Sequence, residues 1–267
     1  MQKKLNQLKQ IIKEMESAVV AFSGGVDSTF LLKVTHEVLG DNCLAIIGES
    51  ETMPTTDYNN ALQQVKEFGA DYLIIKTEEM TKEEFVKNPQ NRCYHCKNEL
   101  FTKLLTIAQE KKIQWVLDGS NADDLKDYRP GMQAARALGV RSPLQEAGLT
   151  KAEIRQLSKE MGLSTWDKPS SPCLSSRFPY GEEITLEKLQ RVERAESLLK
   201  DLGFKNLRVR HHQDLARLEI PQEDFPKLME LDPEDIVEPL KELGFTYITL
   251  DLEGFRSGSL NTGLHIH

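Results

Sequence analysis

The stretch AVVAFSGGVDSTFLLKV, residues 18–34, decides the fold. Ala18 to Phe22 reads as a short buried strand and Thr29 to Val34 as an apolar-rich helix. Between them the chain turns through Ser-Gly-Gly-Val-Asp-Ser. Gly24 and Gly25 permit a sharp turn and put no Cβ in the way of a close ligand. Ser23, Ser28 and the amide groups of the helix start then converge on one spot. That spot suits a phosphate-like anion, because a helix N-terminus carries unpaired N–H groups and a partial positive charge. No lysine follows as in Gly-x-x-x-x-Gly-Lys-Ser/Thr, and the dinucleotide fingerprint Gly-x-Gly-x-x-Gly is missing. Taken alone, two glycines would also fit a plain strand-to-helix turn.

Working outward, the strand–helix alternation continues to about residue 165. CLAIIGE (43–49) is a second buried strand. NNALQQVKEFGADYLIIKT (59–77) gives a helix, a stop at Gly69 and a strand, and LFTKLLTIAQEKKIQWVLDGS (100–120) repeats the scheme. Strands separated by helices predict a parallel sheet covered on both faces, hence an α/β fold. Ligands collect at the carboxyl ends of such strands, where the first loop, Glu49-Ser50 and Asp118-Gly119-Ser120 all fall. Ahead of the first strand, Leu5, Leu8, Ile12 and Met15 recur at helical spacing and predict a docked amphipathic helix.

Thr150 and Glu153 form a capping box for a helix closing near Gly162. Lys168-Pro169 and SSPCLSSRFPYGEE then break regular structure, which predicts a hinge between 165 and 182. Beyond it, LEKLQRVERAESLLKDLGF is a helix, NLRVRHH and LARLEIP form a hairpin, and a second helix follows. The expected organisation is a nucleotide domain over 1–165, then a hinge loop and a smaller C-terminal α+β substrate-binding domain over 166–267. LKDLGF (199–204) and LKELGF (240–245) echo each other; a shared helix–Gly–strand turn explains this more cheaply than duplication. NTGLHIH reads as a loose tail.

Over 267 residues the net charge is −8, which argues against broad nucleic-acid binding, since phosphate contacts dominate that affinity. No apolar run approaches the about 18 residues of a membrane helix, and the N-terminal stretch lacks a signal-peptide core. Four cysteines without a secretion signal indicate a reducing, cytoplasmic setting, where they serve metals or catalysis.

NRCYHCKNELF (91–101) places Cys93 and Cys96 in a loop just before a helix, with the spacing that lets two thiolates reach one metal. Cys173 in the hinge loop is a third candidate ligand, whereas Cys43 opens a buried strand and reads as an inert core residue. Three cysteines without an obvious fourth ligand suit an iron–sulfur cluster with one open iron. Structural zinc and a redox pair stay open on spacing alone, though the redox pair leaves Cys173 unexplained.

Ser-Gly-Gly-Val-Asp-Ser resembles the PP-loop of N-type ATP pyrophosphatases, which cleave ATP to AMP and pyrophosphate. The resemblance extends to LDGSNADDLKDYRPGMQAARALGVRSPL (117–144), TKAEIRQLSKEMGL (150–163), WDKPSSPCLSSRFPYGEEIT (166–185) and LDLEGFRSGSLN (250–261). Together these are similar to the LarE family of ATP-dependent sulfur transferases in nickel-pincer nucleotide cofactor biosynthesis. The resemblance implies that Mg-ATP adenylates a carboxylate of pyridinium-3,5-dicarboxylate mononucleotide and that sulfur then replaces AMP, twice over. It implies ATP, Mg²⁺ and a [4Fe–4S] cluster as cofactors, with Cys93, Cys96 and Cys173 as cluster ligands. Cys173 also matches the cysteine that other members sacrifice as the sulfur source.

Ser23, Gly24, Gly25, Val26, Asp27 and Ser28 are the expected nucleotide-binding residues, with Asp27 the Mg²⁺ carboxylate and Arg129 a weaker addition. Arg208 and Arg210 alternate on one strand and project from one face; such a pair clamps a phosphate through forked donors. On periodicity a solvated strand face would serve as well; the resemblance assigns both arginines to the substrate phosphate, with Ser176, Arg177 and Glu196 beside them. His211 and His212 are expected at the surface, and Arg256 is a lesser site candidate. The expected partners are the pyridinium mononucleotide, a sulfide or other sulfur donor, and further copies of the chain, with no nucleic acid and no membrane. A PP-loop tRNA thiolase with three cysteines is the alternative; the acidic charge and the lack of a basic, aromatic-interleaved module count against it.

Overall fold

The structure, a computed structural model, describes residues 1–126, 130–256 and 258–261. The chain forms two compact units, Met1–Phe85 with Asn91–Ser171, and Val86–Gln90 with Pro172–His267.

In the first unit helices and strands alternate: α1 (Gln2–Lys13), β1 (Ala18–Ala21), α2 (Val26–Leu39), β2 (Cys43–Glu49), α3 (Thr55–Phe68), β3 (Asp71–Lys76), α4 (Glu83–Val86), α5 (Arg92–Glu110), β4 (Trp115–Leu117), α6 (Pro130–Ala137), α7 (Pro143–Glu146) and α8 (Lys151–Glu160). The four strands form one parallel sheet in the order β3-β2-β1-β4. Alternate residues of a strand face opposite ways, and here both faces are apolar. Ala18, Val20, Ala45 and Ile47 pack with Leu8, Phe30, Ala61 and Ile154 on one face. Val19, Leu44, Ile46 and Val116 pack with Phe101, Leu104 and Ala135 on the other. This is the helix-covered parallel sheet that the alternation predicts, and it explains why β1 and the first five residues of β2 are apolar throughout. α1 docks as expected, with Leu5, Leu8 and Ile12 buried. Since β2 and β3 continue from β1 in one direction and β4 lies on the other side, the strand order reverses between β1 and β4. Ligands bind at such a reversal, outside the carboxyl ends of the strands.

The second unit comprises α9 (Leu186–Asp201), β5 (Arg208–His212), β6 (Leu215–Glu219), α10 (Phe225–Glu230), α11 (Pro233–Glu242) and β7 (Tyr247–Leu250). Its sheet runs β5-β6-β7, with β5 antiparallel and β7 parallel to β6. Leu199, Phe204, Val209, Leu218, Leu240 and Phe245 form its core, so the C-terminal part is α+β. Val86–Gln90 contributes too. Ile184 N–H donates to the Val86 carbonyl at 2.9 Å, Gly181 N–H donates to the Asn88 carbonyl at 2.9 Å, and the Asn88 amide donates to the Pro179 carbonyl at 2.7 Å.

Two expectations need correction. Cys93 and Cys96 lie in the first two turns of α5, which starts at Arg92, so no loop carries them. His211 is buried rather than exposed, at 1% of its surface, because β5 is covered on both faces around its middle. Its ring lies 5.0 Å from that of Phe178 and 5.7 Å from that of Phe245. Arg129 and the C-terminal histidines lie outside the described residues.

Candidate functional site

The loop after β1 takes the predicted shape. Gly25 caps α2, whose first residue is Val26. The Ser23 and Ser28 hydroxyls meet at 3.1 Å, and Ser28 also donates to the Gly25 carbonyl at 3.2 Å. Gly24 adopts φ +66°, and a Cβ there would lie 2.8 Å from Cβ of Ala61 on α3, so only glycine fits. From the end of β4, Gly119 closes on the same helix start; its missing Cβ would stand 3.0 Å from the Ser28 nitrogen. The loops after β1 and β4 therefore meet at the start of α2. The result is a cradle of amides and hydroxyls for an anion.

Asp27, in the first turn of α2, accepts from Lys151 at 2.7 Å and from the Asn121 amide at 3.4 Å, both through Oδ2. Its Oδ1 is buried with no hydrogen-bond partner. A buried carboxylate oxygen without a donor is costly, and a hard cation with oxygen ligands satisfies it. Lys151 is the first residue of α8, directly after the Thr150–Glu153 capping box. Glu153 is held down at about 2, mainly by a hydrogen bond from Lys4 and by the Thr150 amide. Asp118 closes the β4 side, accepting from Ser120 and Ser142 at 2.9 and 2.6 Å.

In the second unit the predicted substrate residues cluster. Arg177 is buried and makes a two-pronged pair with Glu196 at 2.8 and 2.9 Å. Its remaining nitrogen donates to the Pro172 and Cys173 carbonyls, at 2.7 and 3.1 Å, and to the Ser176 hydroxyl at 3.0 Å. Arg177 thereby fixes the backbone on which Cys173 is carried. Burial pushes Glu196 up, but Arg177, Arg208 and the Val209 amide outweigh it and hold the carboxyl below its ordinary value. Arg210 donates to the Ser176 carbonyl at 2.6 Å and to the Ser259 hydroxyl at 2.5 Å, and pairs with Glu219 at 2.9 Å. Burial lowers Arg208 to about 10; Arg177 and Arg210 add to this, against Glu196 and Glu219. Three guanidinium groups crowded together favour an anion among them.

The cysteines divide. Cys43 is buried in β2, and burial pushes its thiol up to about 12, which makes it inert as expected. Cys93 is exposed and Cys96 half-buried on α5, three residues apart and so on one helix face. Cys173 is half-buried in the second unit. Among the described residues no three side chains of His, Cys, Asp or Glu are gathered as a metal would require.

Sequence reasoning missed Asn121, Lys151, Asp57 and Lys168 in the first unit, and Glu219 and Ser259 in the second. Lys151 had a signal, since a capping box fixes where the next residue emerges. The others reach the sites from distant segments.

A family model described as NAD synthase matches residues 1–102. The chain is 47% identical over 262 residues to an uncharacterized protein of Synechocystis, covering 98% of each. It is 38% identical over 254 residues to the pyridinium-3,5-bisthiocarboxylic acid mononucleotide synthase of Lactiplantibacillus plantarum, covering 95% of this chain and 92% of that one. More distantly, it is 22% identical over 230 residues to the glutamine-hydrolysing GMP synthase of Chlamydia caviae, covering 76% of this chain and 43% of that one.

Proposed function

This chain belongs to the LarE family of pyridinium-3,5-bisthiocarboxylic acid mononucleotide synthases, and we propose that it converts both carboxylates of a pyridinium-3,5-dicarboxylate mononucleotide to thiocarboxylates at the expense of ATP. The observation that carries this reading is the cradle at the start of α2, with the buried, unsatisfied Oδ1 of Asp27 beside it.

A carboxylate resists nucleophiles because it is anionic and would have to expel oxide. Attack of its oxygen on the α-phosphorus forms an acyl–adenylate, and the bond to the β-phosphate breaks with loss of pyrophosphate. A sulfur nucleophile then attacks the acyl carbon, and the C–O bond to AMP breaks. Ser23, Gly24, Gly25, Val26 and Ser28 hold the β- and γ-phosphates. Asp27 would hold Mg²⁺, which supplies charge neutralisation at the phosphates. Lys151, at the same carboxylate, adds positive charge for the departing pyrophosphate. In this reading the domain over 1–165 serves ATP and the part over 166–267 carries the substrate-binding groups, with residues 166–171 packed in the first unit. Arg208 and Arg210 take the substrate phosphate, with Ser176, Arg177 and Glu196 shaping their surroundings, and Arg129 is assigned to the nucleotide.

Cys173 is the sulfur-transfer cysteine, and Cys93, Cys96 and Cys173 are the proposed ligands of a [4Fe–4S] cluster. This assignment rests on the family resemblance: the three thiols are accessible, unlike that of Cys43, but among the described residues they are not gathered as cluster ligands. Iron and sulfide content of protein purified without oxygen tests it: loss of both in Cys93→Ala supports ligation, and unchanged content refutes it. We place the enzyme in the cytoplasm as a homo-oligomer; among the described residues no helix is long and apolar enough to cross a membrane.

The reaction is tested by incubating the protein with Mg-ATP, sulfide and the dicarboxylate. AMP and pyrophosphate in equal amounts, with a mass gain of one sulfur for one oxygen, are expected. ADP as the main product would overturn the reading.

A further inference from the structure

The turn at Gly24 and Gly25 raises a problem that donors alone do not solve. A loop that grips polyphosphate must also turn its carbonyl oxygens away, since a C=O aimed at the anion repels it. The Gly25 carbonyl is drawn into the helix, accepting from Thr29 N–H at 2.9 Å and from the Ser28 hydroxyl. The Gly24 carbonyl has no such helical partner. It accepts instead from Lys168 Nζ at 3.0 Å, across 144 residues of sequence.

Lys168 is itself held. Its ammonium pairs with Asp57 at 2.9 Å, and both side chains are mostly buried, at 18% and 12% exposed. The other oxygen of Asp57 accepts from the Ser171 hydroxyl at 2.5 Å. Arg155 of α8 donates to the Trp166 and Lys168 carbonyls at 2.8 and 2.7 Å, and Lys159 lies over the Trp166 ring at 4.5 Å. Residues 166–171 thus form a strap fastened at Trp166, Lys168 and Ser171, and its lysine reaches the loop from outside. Since α8 also supplies Lys151 to Asp27, one continuous segment brackets the loop with two lysines.

We propose that Lys168, locked by Asp57, is a positioning residue that presets the Gly24–Gly25 peptide for polyphosphate. In a planar trans peptide the C=O and the following N–H point in opposite directions. Fixing the Gly24 oxygen therefore aims the Gly25 N–H the other way, to the anion side of the turn. Asp57 absorbs the lysine's charge, so Lys168 stays on the carbonyl instead of swinging to the phosphates. The strap does structurally what a lysine inside a phosphate loop does by direct contact.

This rests on the reading of the loop as an ATP site, and the test separates the two. Binding of ATP and of AMP to the full chain is measured by calorimetry for the parent, Lys168→Met, Lys168→Arg and Asp57→Asn. The loop serves the β- and γ-phosphates, so Lys168→Met should weaken ATP about tenfold, the scale of one hydrogen bond to a charged group, with AMP changed less than twofold. Asp57→Asn should weaken ATP in the same selective way, and Lys168→Arg should recover most of the loss. Equal losses for ATP and AMP would make Lys168 a general strut and overturn the proposal, as would an unchanged ATP affinity. If the parent itself fails to bind ATP, the ATP reading falls and the proposal with it. Thermal melting of each variant identifies one that does not fold, and Asp57→Asn, which keeps the Ser171 contact, then carries the test.

Discussion

Lys151 and Asp27, 124 residues apart in sequence, are joined by a 2.7 Å ion pair at the first turn of α2. The lysine can reach because the capping box ends the preceding turn at Thr150 and starts α8 at that point. In the proposed reaction a lysine placed there would face the charge that develops as pyrophosphate leaves. Lys151→Met should slow pyrophosphate release about a hundredfold, the scale of losing one donor to a developing charge, while the fold persists. A coupled pyrophosphate assay reads this; an unchanged rate would remove Lys151 from the reaction.

The same cap gives an acid dependence. Glu153 titrates at about 2 when folded, against 4.5 ordinarily, chiefly through Lys4. Its contribution is complete above 4.5 and is lost as pH falls towards about 2. Glu153→Gln should be less stable than the parent at neutral pH, with the gap closing over that window. Urea midpoints across the range measure it, and a constant gap would count against the pairing.

His211 has the opposite sign. Burial pushes its imidazole below 6.5, with Glu182 opposing and Lys188 and Arg191 assisting. The ring's Nδ1 lies 2.6 Å from Glu182. The unfolded chain takes up a proton at 6.5 that the folded one resists, so this residue destabilises the second unit as pH drops below 6.5. His211→Phe, which keeps an aromatic ring beside Phe178 and Phe245, should flatten that decline in a melting series. A decline of the same steepness in the variant would assign it elsewhere.

Arg208 and Arg210 should separate in their effects. Arg210 is tied into Glu219, Ser259 and Ser176, so Arg210→Ala should lower stability as well as substrate affinity. Arg208 stacks over the Phe255 ring at 5.2 Å and is only half-buried. Arg208→Ala should cost substrate binding about 1.5–3 kcal/mol with ATP affinity unchanged. Titration of each ligand checks this; equal losses for both ligands would contradict the assignment.

Much of the first unit was legible because its signals are local. CLAIIGE is β2 from Cys43 to Glu49, the capping box is where Thr150 and Glu153 put it, and the turn from Ser23 to Gly25 links β1 to α2 where the sequence places it. What escaped depends on contacts between distant segments. Lys168 looks like an ordinary lysine before a proline until Asp57 and Gly24 are beside it. The polar run NPQNRCYHC conceals a helix start because its apolar stripe begins only later, at Phe101 and Leu104. The burial of His211 escapes the sequence because it points to the face opposite Arg208 and Arg210, where Phe178 and Phe245, from distant segments, cover it.

The five residues Val86–Gln90 bear on how the protein is made. Asn88 is fully buried; its amide donates to the Phe178 and Pro179 carbonyls and its carbonyl accepts from Gly181 N–H. During synthesis those partners emerge some ninety residues after Asn88 does. The residues of the first unit therefore emerge before these partners of Val86–Gln90 do, and the second unit closes only once residues 178–181 have been made. Cutting the gene at 171 would not divide the protein along its two units: one fragment would carry Asn88 without Phe178, Pro179 and Gly181, and the other would lack the residue that bonds to them.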